Sequence, residues 1–237
     1  MTELFYSNKQ VEIHCTDALQ ALITLDSASV QLLLTDIPYT VVNRPSNGLR
    51  LLDKGVADVC DLDLGTLIRE FVRVTFGSIY VFCGTEQVSN IRQEMVNQKL
   101  STRLCIWEKT NPSPMNGEHL WLSGIECCVF GRKKKAPFHE HCKNSVWRFP
   151  SGKRTLHPTQ KPLDLFKYLI TVSSDEGDLV LDPFLGSGTT AIAAMQLGRR
   201  CIGFELEEQF CEVATLRCIQ EEVKLEALES NRRQPTE

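Results

Sequence analysis

The chain has 237 residues, a hydrophobic fraction of 42%, a charged fraction of 24% and a formal net charge of −4. These values are ordinary for a soluble globular protein with one sizeable core, so we expect a single domain over residues 1–237. No apolar run is long enough to span a bilayer, and the N-terminus lacks a charged-then-apolar signal pattern. We therefore expect a cytoplasmic protein rather than a membrane or secreted one.

In the first half of the chain, short apolar runs rich in β-branched residues alternate with helical patterns. Strands are predicted over residues 11–15, 31–34 and 79–83, and helices over 18–25, 64–75 and 85–98. Thr85 is the predicted N-cap of the third helix. The polar stretch from Thr40 to Asp63 has few apolar anchors and is long for a compact domain, so we predict a mobile loop at 40–63 near the target site.

The second half repeats this alternation after an antiparallel, hairpin-like pair of strands at 104–107 and 125–130. Pro162 opens a predicted helix that ends near residue 171. A strand (179–181), a helix (189–197), a strand (200–204) and a final helix (207–230) follow. Strands that alternate with helices indicate βαβ units, and the pattern predicts an α/β fold with a largely parallel sheet.

Ten cysteines are present, and they lie mostly inside apolar runs such as Val81–Cys83. There is no CxxC pair, so we interpret them as small buried hydrophobic residues rather than as disulfides. Residues 139–142, with the sequence HEHC, carry metal-ligating side chains. A second pair at zinc-like spacing is missing, and no metal site is predicted.

Positive charge is concentrated between Gly131 and Lys161, where nine Lys or Arg residues accompany a single acid, Glu140. Phosphate binding depends on such a local patch, because salt screens charges beyond about 8–10 Å. A solvated loop is the alternative. The interleaved aromatic residues favour a small basic target-recognition segment over residues 131–153 that binds nucleic acid. The basic residues assigned to this contact are Arg132, Lys133, Lys134, Lys135, Arg148, Lys153 and Arg154.

A glycine loop, Gly186-x-Gly188-x-x-Ala191, joins a predicted strand to a predicted helix. Such glycines let a ligand approach the backbone at a helix N-terminus. The acid at the end of the next strand, Glu205, has the spacing used to bind ribose hydroxyls. An NAD-dependent oxidoreductase would need this loop in its first βαβ unit. Here the loop opens the last unit, which favours a different adenosine-type cofactor.

Several segments together resemble the amino-directed DNA methyltransferases. The segment 182–190, DPFLGSGTT, resembles their S-adenosylmethionine loop, DPFxGSGTT, and 36–39, DIPY, resembles their catalytic tetrapeptide, (D/N/S)PP(Y/F/W). Residues 157–162 resemble the HPTQKP segment, and residues 107–114 resemble the W-x-K-x-N-P-x-P stretch. The tetrapeptide precedes the glycine loop, which is the motif order of the β-type circular permutation.

The resemblance implies a circularly permuted Rossmann-like methyltransferase fold, with a mostly parallel sheet and helices on both faces. It implies catalytic roles for Asp36, Ile37, Pro38 and Tyr39. It places Trp107 and Lys109 on the target side, although Trp107 fits a core position equally well. The residues that it assigns to S-adenosylmethionine are Asp17, His157, Thr159, Lys161, Asp182, Pro183, Phe184, Gly186, Ser187, Gly188, Thr189, Thr190 and Glu205.

The chemistry of an exocyclic amine explains the tetrapeptide. The amine is a poor nucleophile because its lone pair is delocalised into the base ring. The Asp36 side chain and the carbonyl of residue 37 can accept its two protons, while Tyr39 stacks on a base taken out of the duplex. Ile37 replaces the family's usual proline but keeps the carbonyl, and Pro38 restrains it to extended geometry.

The sequence therefore predicts a site-specific methyltransferase that moves a methyl group from S-adenosylmethionine to N6 of adenine in double-stranded DNA. The leading Asp36 favours adenine over the first alternative, N4 of cytosine. A DNA-binding module of the same fold with little turnover is the second alternative. The resemblance also implies a homodimer, while a cognate restriction endonuclease is a partner that the sequence does not indicate.

Overall fold

The computed structural model describes residues 4–39, 63–114, 117–152 and 161–233. The predicted loop at 40–63 lies outside the described residues, apart from Asp63. The Asp63 carboxylate caps the next helix by accepting a hydrogen bond from the Thr66 amide at 3.1 Å.

Nine strands and six helices occupy the described part of the chain. The strands are β1 (Leu4–Ser7), β2 (Val11–Cys15), β3 (Val30–Asp36), β4 (Thr75–Cys83), β5 (Ser101–Lys109), β6 (Ile125–Arg132), β7 (Val146–Phe149), β8 (Leu179–Asp182) and β9 (Arg200–Glu205). The helices are α1 (Ala18–Leu22), α2 (Leu64–Val74), α3 (Val88–Asn97), α4 (Leu163–Ser173), α5 (Thr189–Gln196) and α6 (Glu208–Arg233).

All of these strands form one sheet, in the order β1-β2-β9-β8-β3-β4-β6-β5-β7. The five consecutive strands from β2 to β4 are parallel. Antiparallel pairs follow on both sides: β1 with β2, and β6 with both β4 and β5. β7 runs parallel to β5 at the far side. The predicted mostly parallel α/β sheet and the antiparallel pairing of β5 with β6 are confirmed.

Helices cover both faces of the sheet, as predicted. Successive residues of a strand face opposite sides. Leu32 and Leu34 of β3 pack in the cluster that α4, α5 and α6 cover, whereas Leu33 packs in the cluster that α1, α2 and α3 cover. Seven of the nine described cysteines are buried, and all nine are free. Among the described helices, none is long and apolar enough to cross a membrane.

The parallel strands all end at one side of the sheet, which we call the carboxyl edge. Asp36 ends β3, Asp182 ends β8 and Glu205 ends β9, so residues far apart in the chain lie side by side. Ligands of open α/β sheets bind outside this edge. The fold therefore brings the tetrapeptide 36–39 and the glycine loop to neighbouring strands.

The antiparallel strand β6 runs in the opposite direction to the parallel strands, so it begins rather than ends at the carboxyl edge. β6 begins at the carboxyl edge, where Cys127 lies opposite Cys83, and ends at the other edge, where Arg132 lies opposite Ser78. β5 and β7 run back and end at the carboxyl edge again, at Lys109 and at Phe149. The start of β6 and the ends of β5 and β7 thus lie beside the end of β4.

Three local features differ from the sequence prediction. β1 and β7, with four residues each, were not predicted. The prediction of Thr85 as a helix N-cap is wrong, because α3 begins at Val88 after Gln87. The Gln87 side chain accepts from the Gly84 amide at 2.8 Å and donates to the Pro38 carbonyl at 2.9 Å, and these bonds shape the turn instead.

Candidate active site

The two glycines of the β8–α5 loop have different roles. Both have left-handed backbones, with φ of +53° at Gly186 and +82° at Gly188, where a side chain would be strained. A Cβ at Gly186 would meet no atom within 4 Å, whereas one at Gly188 would lie 3.0 Å from the Cβ of Ala214 in α6. Gly186 therefore leaves room for a ligand, and Gly188 allows close packing of the loop on α6.

Glu205 joins the glycine loop to the end of β9. One carboxylate oxygen accepts from the Gly186 amide at 2.7 Å, and the other accepts from the Glu207 amide at 2.9 Å. Burial raises the pKa of the Glu205 carboxyl, although these backbone hydrogen bonds oppose the shift. Each oxygen keeps a second lone pair that can accept a ribose hydroxyl.

Asp17 lies next to Glu205 along the carboxyl edge. The Thr16 amide donates to the Glu205 carbonyl at 2.8 Å, and Asp17 follows as the N-cap of α1, where it accepts from the Gln20 amide at 2.9 Å. Asp17, Glu205 and Gly186 thus form a row across β2, β9 and β8. With the open space at Gly186 and the acceptor oxygens beside it, these residues fit S-adenosylmethionine.

Other predicted loop residues support the loop from inside. The residues that are buried here are Pro183, Ser187, Gly188, Thr189 and Thr190, while Phe184 is half-buried against the α1–α3 cluster. Ser187 accepts hydrogen bonds from Arg217 of α6 through its carbonyl and its hydroxyl. Burial of these residues and the hydrogen bonds from Arg217 hold the loop in shape.

Asp182 connects the glycine loop to the strand that carries Asp36. Its carboxylate accepts from the Thr35 hydroxyl at 2.7 Å, from the Thr190 hydroxyl at 2.5 Å and from the Phe184 amide at 3.1 Å. Burial raises the pKa of Asp182 to about 6, against these hydrogen bonds. This side chain is 3% exposed, so it joins β3, β8 and α5 rather than facing the cleft.

The end of β3 carries a partly buried charge cluster that we call the amine-site network. It consists of Asp36, Lys161, Glu126, Lys109 and Tyr39. Lys161 donates to Asp36 and lies 3.0 Å from Glu126, which in turn lies 2.8 Å from the Lys109 ammonium. The Tyr39 hydroxyl donates to the second oxygen of Asp36 at 2.9 Å. Lys161, which was assigned to the cofactor, contacts Asp36 in this structure, and its assignment to the cofactor stays a prediction.

Within this network, opposite charges shift the pKa values of Glu126 and Lys161 toward their charged forms. Burial, opposed by Lys161 and reinforced by Glu126, raises the pKa of the Asp36 carboxyl. Burial acts to raise the pKa of Glu126 as well, but Lys161 and Lys109 together outweigh it and lower that pKa. Burial acts to lower the pKa of Lys161, and the two carboxylates outweigh it and raise that pKa. Lys161 and Glu126 are therefore charged at neutral pH.

The rest of the tetrapeptide is held by backbone contacts. Ile37 is 1% exposed, and its side chain belongs to the α1–α3 cluster. Its amide donates to the Phe82 carbonyl at 3.1 Å. The Pro38 carbonyl accepts from Gln87, and Tyr39 is half-buried, with the Lys161 ammonium 5.6 Å from its ring centroid.

Sequence reasoning missed Glu126 and Gln87. Glu126 carries a visible signal, because it is an acid at the start of a buried apolar strand, β6, that was predicted correctly. Gln87 carries none, since a glutamine at the start of a helix is unremarkable. Its role depends on the approach of the Pro38 carbonyl, which only the folded chain reveals.

The residues assigned to DNA contact do not form one surface. Trp107 is 2% exposed, and its indole N–H donates to the Phe149 carbonyl at 2.9 Å. It is a core residue, and its assignment to the target side is wrong. Lys109 is engaged with Glu126, so its ammonium belongs to the amine-site network. Lys153, Arg154, His157 and Thr159 lie outside the described residues.

The basic segment is divided between the two edges of the sheet. Arg132 ends β6 at the edge opposite the carboxyl edge, and Lys133, whose ammonium donates to the Val72 carbonyl at 2.8 Å, follows there with Lys134 and Lys135. From the partner of Asp36 on β4 to the partner of Arg132 is four residues, about 13 Å along the strand. These four basic residues do not lie beside Asp36, which corrects their assignment to the target. Arg148 does lie at the carboxyl edge, with a side chain 72% exposed and 3.0 Å from Glu108.

Comparisons with known proteins agree with this geometry. A family model described as DNA methylase, of the N6 and N4 class, matches residues 30–216. The Type II methyltransferase M2.DpnII of Streptococcus pneumoniae is 27% identical over 92% of this chain and 92% of its own length. The Type II methyltransferase M.HinfI of Haemophilus influenzae is 30% identical over 85% of this chain and 66% of its own length.

A solved structure shows the same likeness in three dimensions. The crystal structure of the M1.HpyAVI–SAM complex superposes with a TM-score of 0.69 at 26% sequence identity, covering 87% of this chain and 98% of that one. The predictions of the family, of S-adenosylmethionine and of DNA as substrate are confirmed. The chain belongs to the DNA methylase family and is an S-adenosylmethionine-dependent DNA methyltransferase.

Proposed function

We propose that the protein methylates the N6 amine of adenine at a specific sequence in double-stranded DNA, with Asp36 as the amine acceptor. The observation that carries this proposal is the position of Asp36 one strand away from the glycine loop. The Thr35–Asp182 hydrogen bond of 2.7 Å fixes the two neighbouring strands at that point. An amine held at Asp36 is thereby within reach of a methyl donor seated over Gly186.

Asp36 and the Ile37 carbonyl orient the amine. With both amine protons accepted, the nitrogen lone pair points away from the ring plane and toward the donor. S-adenosylmethionine supplies a methyl group on a positively charged sulfur, so the N–C bond forms as the C–S bond breaks. The amine then loses one proton, and the Asp36 carboxylate is the group of the tetrapeptide that can take it. Catalysis here consists of positioning and electrostatics in a buried site.

Tyr39 provides the surface against which the target base rests. A base inside a duplex cannot present its amine in line with a donor, so it must leave the stack. The Tyr39 ring lies beside Asp36, to which its hydroxyl donates at 2.9 Å. The base that stacks on this ring brings its exocyclic amine to the Asp36 oxygens.

Adenine is the base that we assign, because the tetrapeptide begins with an acid. In the family that the sequence resembles, cytosine enzymes more often carry serine at this position. The Asp36 carboxylate, held by Lys161 and Tyr39, is a strong acceptor for an amine proton.

DNA approaches the carboxyl edge in this proposal. The exposed Arg148 and the fully exposed Trp121, in the turn between β5 and β6, lie at that edge. A homodimer and a cytoplasmic location stay predictions of the sequence, which does not indicate a cognate restriction endonuclease.

The test is to incubate the protein with unmodified DNA and methyl-labelled S-adenosylmethionine, digest to nucleosides and identify the labelled one. We expect N6-methyl-2′-deoxyadenosine, whereas label on N4-methyl-2′-deoxycytidine would overturn the base assignment. Cofactor binding with no label in several DNAs would indicate a module without turnover.

Asp36→Asn tests the role of the carboxylate. It keeps the size of the side chain but loses the charge, so we expect methyl transfer to fall by about 10²–10³-fold. S-adenosylmethionine affinity should stay within about twofold of wild type. Asp26→Asn, at an exposed position before β3, is the matched control and should leave both unchanged. A large loss of cofactor affinity in Asp36→Asn would contradict the role assigned to Asp36.

A further inference from the structure

We propose that Glu126 is a positioning residue for methyl transfer: together with Lys109 it holds Lys161, and Lys161 fixes the Asp36 carboxylate in its amine-accepting orientation. The inference rests on the proposed function of Asp36. It assigns a role in the reaction to Glu126 of β6, which lies outside every motif of the family, and to Lys109 of β5, which lies in the W-x-K-x-N-P-x-P stretch.

The geometry accounts for each proton of the Lys161 ammonium. An ammonium has three N–H donors. One reaches Asp36, one reaches Glu126 at 3.0 Å, and the Tyr39 hydroxyl oxygen lies 3.4 Å away as the third acceptor. Lys161 is therefore held from three sides, and the Asp36 oxygen that it contacts cannot rotate freely.

Because Glu126 also pairs with Lys161, the Lys161 ammonium is shared between two carboxylates. The Glu126 carboxylate divides its two oxygens between Lys161 and Lys109, at 3.0 Å and 2.8 Å. Ammonium and carboxyl groups thus alternate from Lys109 through Glu126 and Lys161 to Asp36. Because Lys161 is shared, Asp36 keeps acceptor capacity for an incoming amine instead of forming an isolated ion pair.

Burial makes the arrangement costly to disturb. The exposed fractions of the side chains are 6% for Lys161, 11% for Lys109 and 20% for Glu126. Removing one partner from a buried ion pair leaves an uncompensated charge, which is strongly destabilising. Here the compensation for losing Glu126 is a shift of Lys161 toward Asp36, which moves the group that binds the amine.

The surroundings of Asp36 fix the sign of the pH dependence. Besides Lys161, Lys109, Glu126 and Tyr39, the titratable groups that face it are Cys83 of β4, Cys128 of β6 and Asp182 of β8. The negative charge of Glu126 raises the pKa of Asp36. Removing that charge should lower this pKa, and removing the positive charge of Lys109 should raise it.

Glu126→Gln keeps the size and one acceptor oxygen but removes the charge. We expect kcat to fall by about 10–100-fold, the loss typical of a misplaced reacting group, with the KM for DNA and the cofactor Kd within about threefold of wild type. The acid limb of the kcat–pH profile should move to lower pH by up to about one pH unit. Glu212→Gln, at an exposed position of α6, is the matched control and should change none of these.

Lys109→Gln should shift the acid limb of the kcat–pH profile in the opposite direction. This variant also tests the proposal if Glu126→Gln does not fold. Its acid limb should move to higher pH while kcat falls. A purely structural role would lower the activity of both variants and leave the two limbs in place, which would overturn the proposal. An inactive wild type would instead refute the proposed function, and an unchanged kcat and profile in folded Glu126→Gln would refute only the role of Glu126.

Discussion

Ile37 combines a backbone role in the site with a packing role in the core. Its side chain is 1% exposed, and its amide donates to the Phe82 carbonyl at 3.1 Å. A proline at this position has no N–H and cannot make that hydrogen bond. In this chain, the family's usual residue would therefore leave a buried carbonyl without its partner.

Ile37→Pro restores the family pattern and should destabilise this protein. The unsatisfied Phe82 carbonyl and the loss of apolar packing should together lower the unfolding free energy by about 2–3 kcal/mol. Since the carbonyl of residue 37 is retained, kcat per folded molecule should stay within about threefold of wild type. Urea unfolding and single-turnover methyl transfer measure the two effects. A kcat more than tenfold above wild type would show that Ile37 limits the reaction.

Three secondary-structure elements meet at Asp182. Thr35 of β3 and Thr190 of α5 donate to its carboxylate at 2.7 Å and 2.5 Å, and Asp182 itself ends β8. Burial raises its pKa to about 6 from an ordinary value of 3.8. The folded protein therefore binds a proton here between these pH values when the unfolded chain has already released it.

This linkage gives a pH dependence with a definite sign. The stabilisation from protonated Asp182 is complete below about pH 4 and is lost as the pH rises through 6. Relative to Asp182→Asn, the wild type should lose about 2–3 kcal/mol of unfolding free energy between pH 4 and pH 7. Urea unfolding of both proteins across this range measures the difference. A difference that stays flat or increases with pH would contradict the buried, protonated carboxyl.

The secondary-structure elements were predictable where the apolar pattern was long. Most of the longer strands and helices show clear periodicity, and they form near the predicted residues. β1 and β7 are the two outermost strands of the sheet and have four residues each. A strand of this length is too short for its apolar period to be visible in the sequence. The start of α3 was missed because the Gln87 side chain, rather than a Thr85 cap, shapes the preceding turn.

At the scale of the molecule, the site was predictable only where it is contiguous in the chain. The tetrapeptide and the glycine loop are short strings, and the structure places both at the carboxyl edge. The contacts of Lys161 with Asp36 and Glu126 cross from β3 to β6, and that strand order cannot be read from spacing. The prediction of one DNA-binding surface over residues 131–153 was wrong for a related reason. Counting charges along the chain does not show that β6 runs antiparallel to β4 and places Arg132 at the edge opposite Asp36.

The strand directions predict which basic residues bind DNA, because β6 ends away from the carboxyl edge and β7 ends at it. Lys134 and Lys135 are exposed, but they follow Lys133, whose backbone amide donates to the Gly77 carbonyl near the start of β4. Arg148 is exposed at the carboxyl edge. Each phosphate contact adds about 0.9 to the slope of log affinity against log salt. We therefore expect Arg148→Gln to weaken DNA binding several-fold and to reduce this slope by about 1.

The double variant Lys134→Gln/Lys135→Gln is the matched comparison, because it removes two exposed charges from the opposite edge. Its affinity for DNA and its salt slope should equal those of the wild type. Fluorescence anisotropy with one labelled duplex at several salt concentrations measures all three proteins. If the double variant lost about 2 from the slope while Arg148→Gln kept the wild-type value, DNA would bind at the edge opposite Asp36. The target amine would then be about 13 Å or more from the bound backbone, and the proposed docking of DNA would be wrong.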